Sequence, residues 1–248
     1  MSNRIVIEKV EIDENAVTKF FEERVTRYDE KHPVVAILYQ DSNPALAESR
    51  DQHEKSVALP LLEIQPTDRV LDIGCGIGRW ANALAGKVAR YHGTDLIKGL
   101  TDIATQRFAG TPHVTFQALK AQDNHPDRLT TPPPYDLVII AGVFAYINDC
   151  DCLTVLKNVA ECCAPKARIF LREPVGVERR LTLKNIWSDE LKHEYSAIYR
   201  TAAEFLEMIA ATLGRAGFTV AQHAPLLPPE LSNRKETTQH YFLIKRGL

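Results

Sequence analysis

The stretch Arg69-Val-Leu-Asp-Ile-Gly-Cys-Gly-Ile-Gly78 has the residue types of a ligand loop. An apolar, β-branched run gives way to glycines at 74, 76 and 78. Glycine lets a backbone turn sharply and approach a ligand closely, and a helix starting beyond the loop would offer unpaired N–H groups. Further on, Asp95 closes the run Tyr91-His-Gly-Thr-Asp95. A carboxylate at such a strand end can accept both hydroxyls of an unmodified ribose. Glycine loop and acid together point to a nucleoside. Two nucleotide motifs are not met: a dinucleotide fingerprint needs a third glycine where Arg79 stands, and a P-loop needs a Gly-Lys-Ser/Thr closure that is absent. Asp95 would serve a nicotinamide dinucleotide equally well, so a nicotinamide-dependent oxidoreductase is the alternative reading.

The elements that must position these residues follow from hydropathy. Short β-branched runs predict strands at 69–73, 91–94, 114–118, 135–141, 168–172, 218–222 and 240–245. Helical patterns fall between the first five, at 80–84, 99–108 and 152–163. This alternation predicts an α/β fold, doubly wound around a seven-stranded, mostly parallel sheet. Two regions lie outside it. Before the loop, Phe20, Phe21, Arg24, Val25 and Tyr28 sit at helical spacing, His32-Pro33 breaks that helix, and a second helix runs from Pro44 towards Leu62. After the fifth strand, Trp187, Tyr195 and Tyr199 stand among charged residues; Thr201 and Glu204 then form a capping-box pattern for a helix through Leu213.

The glycine loop resembles that of the class I S-adenosylmethionine-dependent methyltransferases, an acidic residue followed by G-x-G-x-G: here Asp72, Gly74, Gly76 and Gly78, with Cys75 inside the turn. The resemblance covers residues 66–172, and 201–246 more loosely. It implies the Rossmann-like methyltransferase fold, S-adenosylmethionine as cofactor and S-adenosylhomocysteine as product. Asp95 would hold the ribose, and Leu96 and Ile97 would wall the base. The acid that the family often carries after its third strand is Lys120 here, which leaves the adenine contact among Gln122, Asp123 and the backbone of Ala121. Ala141 and Gly142 would make room for the methionine part. The resemblance further implies an N-terminal helical lid over residues 1–65, a core over 66–248 and an acceptor-site insertion at 173–200.

Methyl transfer from a sulfonium is an in-line displacement, in which alignment of acceptor, methyl and sulfur carries much of the work. A base matters only when the acceptor must lose a proton. His193 is the first candidate and Glu173 the second, with His53 and Tyr146 behind them. Tyr28, Tyr39 and Arg50 are placed to meet the cofactor's amino-acid end, Arg50 through a bidentate pair with its carboxylate. Tyr39, Tyr146, Arg172, Trp187, Tyr195 and Tyr199 offer flat and polar surfaces to an acceptor.

Composition narrows the partners. Among 248 residues, Lys plus Arg is 30 and Asp plus Glu 32, a net charge of −2, which argues against a partner held by its phosphate backbone. No apolar run of about 18 residues exists to span a membrane. The charged N-terminus lacks a signal-peptide core, and five cysteines, an odd number, suggest no disulfide framework, so a cytoplasmic location is expected. Cys150, Cys152, Cys162 and Cys163 lack zinc-ligand spacing, and no metal is expected. These readings predict a methyltransferase acting on an oxygen or nitrogen of a small metabolite, as in natural-product biosynthesis. A homodimer and a non-catalytic nucleoside-binding relative are further readings.

Overall fold

The computed structural model describes residues 9–38 and 42–247. Its centre is a sheet of seven strands: β1 (Arg69–Ile73), β2 (Arg90–Asp95), β3 (Val114–Ala118), β4 (Tyr135–Ala141), β5 (Cys163–Gly176), β8 (Thr219–Pro225) and β9 (Thr237–Arg246). The order across the sheet is β3-β2-β1-β4-β5-β9-β8. The first five strands run parallel; β9 inserts antiparallel between β5 and β8. Chain order reverses between β1 and β4, where α/β sheets leave a crevice beyond their strand ends.

Alternation along the central strands builds two cores. Leu71, Ile73, Val138 and Ile140 face one side, against Val155, Leu156 and Val159 of α6 (Asp149–Cys162) and Phe205 and Ile209 of α7 (Ala202–Ala211). Val70, Leu137 and Ile139 face the other, against Ala58 and Leu62 of α3 (Pro44–Leu62) and Ala81 and Leu84 of α4 (Ala81–Leu84). Each fully buried side chain of this size contributes about 1.5–3 kcal/mol relative to exposure. Thr201 and Glu204 form the predicted capping box, and Asn43 caps α3 ahead of Pro44.

Three features differ from the expectation. Strand β5 continues through Glu173 to Gly176, because β9 runs alongside it as far as Thr237 and Val175 stays in the core. The first helix, α1 (Glu14–Val25), starts earlier than read, since the Asp13 carboxylate accepts the Asn15 amide and defines its N-terminus. The segment after β5 is a hairpin of β6 (Leu181–Ser188) and β7 (His193–Tyr199), forming its own two-stranded sheet. Helix α5 (Lys98–Arg107) and a short turn, α2 (Val35–Leu38), complete the layer around the crevice. No helix among the described residues is long and apolar enough to cross a membrane.

Candidate functional site

The three loop glycines all take positive φ, 74°, 53° and 79°. At Gly74 an added Cβ would fall 2.2 Å from Val143 Cγ2, and at Gly76 it would meet Ile37 Cγ2 at 3.1 Å. The loop is therefore pressed between the turn after β4 and α2. Its amides are spoken for: Gly74 and Cys75 N–H donate to Thr94 O, Gly76 N–H to Asp95 Oδ2 and Gly78 N–H to Cys75 O. The expectation of open donors at a helix N-terminus is corrected here, since α4 spans four residues and the loop amides bond inside the fold. What the loop supplies is shape.

A cavity of about 730 Å³ opens over this loop, within the size range of small-ligand pockets. Gly74, Cys75, Gly76, Asp95 and Leu96 line one half together with Ala121, Gln122, Ala141 and Gly142. Tyr146, Trp187, Tyr195 and Tyr199 line the other, which the β6–β7 hairpin covers, and Arg50 and Arg172 also border the cavity. Burial lifts the Asp95 carboxyl to about 6, offset in part by the Ile97 and Gly76 amides that it accepts. The turn Ala121–Asp123 is held to α6 by Asn158 Nδ2 donating to Gln122 O at 2.9 Å.

The hairpin side of the cavity is aromatic. Tyr146 and Tyr195 share a hydroxyl hydrogen bond of 2.9 Å, and Tyr195 and Tyr199 one of 3.3 Å. Burial pushes the Tyr195 and Tyr199 phenols up, so both stay protonated at neutral pH. Below them lies a buried ion cluster that the sequence reading missed. Glu54 of α3 accepts from Arg79 and from Arg172, and Arg79 also pairs with Asp51. Burial works against the Glu54 charge, but the Arg172 and Arg79 guanidiniums outweigh it and hold the carboxyl at about 2. Arg79 displaces the third glycine of a dinucleotide loop and anchors the loop's far end to α3.

Several expected residues lie elsewhere. Glu173 is fully buried and accepts the amides of Val143, Phe144 and Ala145, which fixes the turn after β4 and leaves it away from the cavity. His193 faces a separate cavity of about 320 Å³ between α1 and the hairpin, and pairs with Glu23 at 3.2 Å. The two base candidates are thus corrected: neither lines the main cavity. Asp72 is buried under the loop, accepts the Tyr91 hydroxyl and is lifted by burial to about 7. Gly78 backs onto Phe108 and Phe116, Tyr28 packs beside Ile77, Ile97 and Leu100, and Asp123 stands 3.9 Å from Arg128. His53 bonds to Leu226 O. Arg50 lines the cavity, yet its Nε donates to Leu231 O and one terminal nitrogen to Asn233 Oδ1. Tyr39 lies outside the described residues. Among the described residues no group of three or more His, Cys, Asp or Glu is arranged to hold a metal ion.

Residues 71–169 match the family model of a methyltransferase domain. A demethylmenaquinone methyltransferase of Bacillus licheniformis is 25% identical over 240 residues, covering 87% of this chain and 94% of the relative. A 23S rRNA (uracil(1939)-C(5))-methyltransferase of Polynucleobacter necessarius is 50% identical over 46 residues, 18% of this chain; the match spans only 10% of that relative's length. Among solved structures, a Haemonchus contortus phosphoethanolamine N-methyltransferase superposes with a TM-score of 0.69 at 18% identity, over 95% of this chain and 50% of that one. The magnesium protoporphyrin IX methyltransferase of Synechocystis PCC 6803 gives 0.63 at 18% identity, over 97% and 100%. The matched segment carries the glycine loop and strands β2 to β4, and the superpositions show that the chain has the fold of these methyltransferases. The Haemonchus structure holds S-adenosylhomocysteine and the Synechocystis one S-adenosylmethionine.

Proposed function

We propose that this chain is a class I S-adenosylmethionine-dependent methyltransferase that acts on an oxygen or nitrogen of a small metabolite, as a cytoplasmic enzyme of natural-product biosynthesis. The observation that carries the small-acceptor reading is the continuity of the cavity. One continuous cavity joins the glycine loop and Asp95 to an aromatic chamber lined by the chain's own β6–β7 hairpin. The relatives named for demethylmenaquinone, phosphoethanolamine and magnesium protoporphyrin IX support an acceptor of that scale.

In this reading Asp95 accepts the ribose hydroxyls, and Leu96, Ala121 and Gln122 flank the base. Ala141 and Gly142 leave space at the methionine part, and Arg50 meets its carboxylate. The cofactor supplies a sulfonium-bound methyl group open to in-line attack. Tyr146, one turn beyond Gly142, and its partners Tyr195 and Tyr199 orient the acceptor through their hydroxyls. The raised proton affinity of Tyr195 and Tyr199 suits hydrogen-bond donors, not bases. Trp187 bounds the acceptor's far side, and Arg172, set against Gly142, borders the methionine part. An oxidoreductase is disfavoured by Arg79, which bonds into α3 where a dinucleotide loop needs glycine.

Two assays test the proposal. Calorimetry should show S-adenosylhomocysteine binding, with no heat from NADH or NADPH. Labelled methyl donor offered with hydroxylated and amino metabolites should then give labelled small products that require the chamber. Label transferred only to RNA or protein would overturn the small-acceptor reading.

A further inference from the structure

At the base end of the cavity, an ion pair joins the lid helix to the core. Glu14, in the first turn of α1, places Oε1 2.5 Å from Lys120 Nζ. Both side chains line the cavity, beside Leu96, Leu119, Ala121 and Gln122. Each is only half-covered, at 43% and 45% exposure, so the pair alone stabilises the fold little. Its place is more informative than its strength. Lys120 precedes the turn Ala121–Asp123, which Asn124 Nδ2 braces by donating to Lys120 O and Ala121 O. Glu14 is held equally firmly, because Ile12 exchanges two hydrogen bonds with the Asn148 side chain just ahead of α1.

Resting on the reading that Asp95 holds the ribose, we infer that Glu14 and Lys120 together read the edge of the adenine. That edge offers an acceptor at N1 and a donor at the exocyclic amine. Lys120 offers a donor and Glu14 an acceptor, side by side and fixed to each other. A hypoxanthine base reverses both roles, with N1–H as donor and O6 as acceptor, so it would meet like against like. The acid arrives from the lid, so filling the base site also fastens α1 over the cofactor. This gives Lys120 its purpose: it recruits Glu14 across the cavity.

The test compares S-adenosylhomocysteine with S-inosylhomocysteine by calorimetry on the wild-type chain, on Glu14→Gln and on Lys120→Met. The wild type should prefer the adenosyl compound by about tenfold or more, the usual scale for a mispaired hydrogen-bonding group. Glu14→Gln, whose amide presents either polarity, should shrink that ratio to about twofold. Lys120→Met should weaken the adenosyl compound and also reduce the ratio. A pair that merely held the lid would lower both affinities alike and leave the ratio unchanged, which would overturn the inference. A wild type that binds both compounds equally would do the same. No binding of either compound to the wild type would remove the cofactor reading itself, and the inference with it. Circular dichroism melts of both variants should match the wild type within a few degrees, since both side chains are half-exposed.

Discussion

Asp95 shows how much one residue can say and how much its surroundings add. Its type and strand-end position were legible, as were the glycines, because a nucleoside loop demands particular residues at fixed spacing. Its titration was not legible, since the lift to about 6 comes from burial that only the packed crevice creates. The sign differs between fold and ligand. A carboxyl raised above its unfolded value favours the folded chain when protonated, so this group makes the free protein less stable as pH rises through about 6. Ribose hydroxyls need the ionised acceptor, so S-adenosylhomocysteine affinity should fall as pH drops below about 6. Asp95→Asn should cost about 1–3 kcal/mol of binding at pH 8 and flatten that dependence. Calorimetry across pH 5 to 8 checks both, and an unchanged profile in the variant would remove Asp95 from the ribose site. Glu173 and His193 illustrate the opposite case: a carboxylate and an imidazole at plausible positions say nothing of direction, and three backbone amides and Glu23 claim them.

Among the elements, the parallel strands and their helices were readable because apolar periodicity is local. The hairpin was not. Lys184, Asn185, Lys192, His193 and Glu194 break its alternation, and Asn185 and Lys192 adopt left-handed backbone, φ 51° at each. A slip in register between Leu183 and Ile186 hides the pattern further. The seat of α3 was also invisible, because it depends on long-range pairing of Glu54 with Arg79 and Arg172. Removing the acid leaves two buried guanidiniums short of a partner, and Asp51 satisfies only one of them. Glu54→Gln should therefore destabilise the chain by about 3–5 kcal/mol at pH 7. A depressed carboxyl contributes its stability above its unfolded value and loses it as pH falls towards about 2. Urea unfolding should show the gap between wild type and variant closing between pH 4.5 and pH 2. A constant gap would mean that shape, not charge, seats the helix.

At the scale of the whole molecule, the crevice at the strand ends is shut by two pieces that come from opposite ends of the sequence logic. One is the hairpin after β5; the other is α1, which touches the hairpin through Phe20 against Tyr195 and the loop after β4 through Phe21 against Tyr146. Helix α1 shares a small cluster, Ile12, Val17 and Ile198, with the hairpin, while neither of the two sheet-face cores includes any residue of α1. Its bonds run outward from the sheet: Glu14 to Lys120, Glu23 to His193 and the buried Arg24 to the Val35 and Ala36 carbonyls of α2, with Ile12 just ahead of it bonded to Asn148. A helix attached in this way closes the crevice from outside the two sheet-face cores. Removing residues 1–30 should leave a single cooperative melt, lowered by the loss of the small cluster and of the contacts over Ile77, Ile97 and Leu100. The same truncation should weaken S-adenosylhomocysteine binding by about tenfold or more, because the cavity loses its cover and opens Asp95 to water. Melting and calorimetry on one preparation separate these effects. A truncated chain that binds as tightly as the parent would make α1 a bystander, and one that fails to melt cooperatively would make it part of the core.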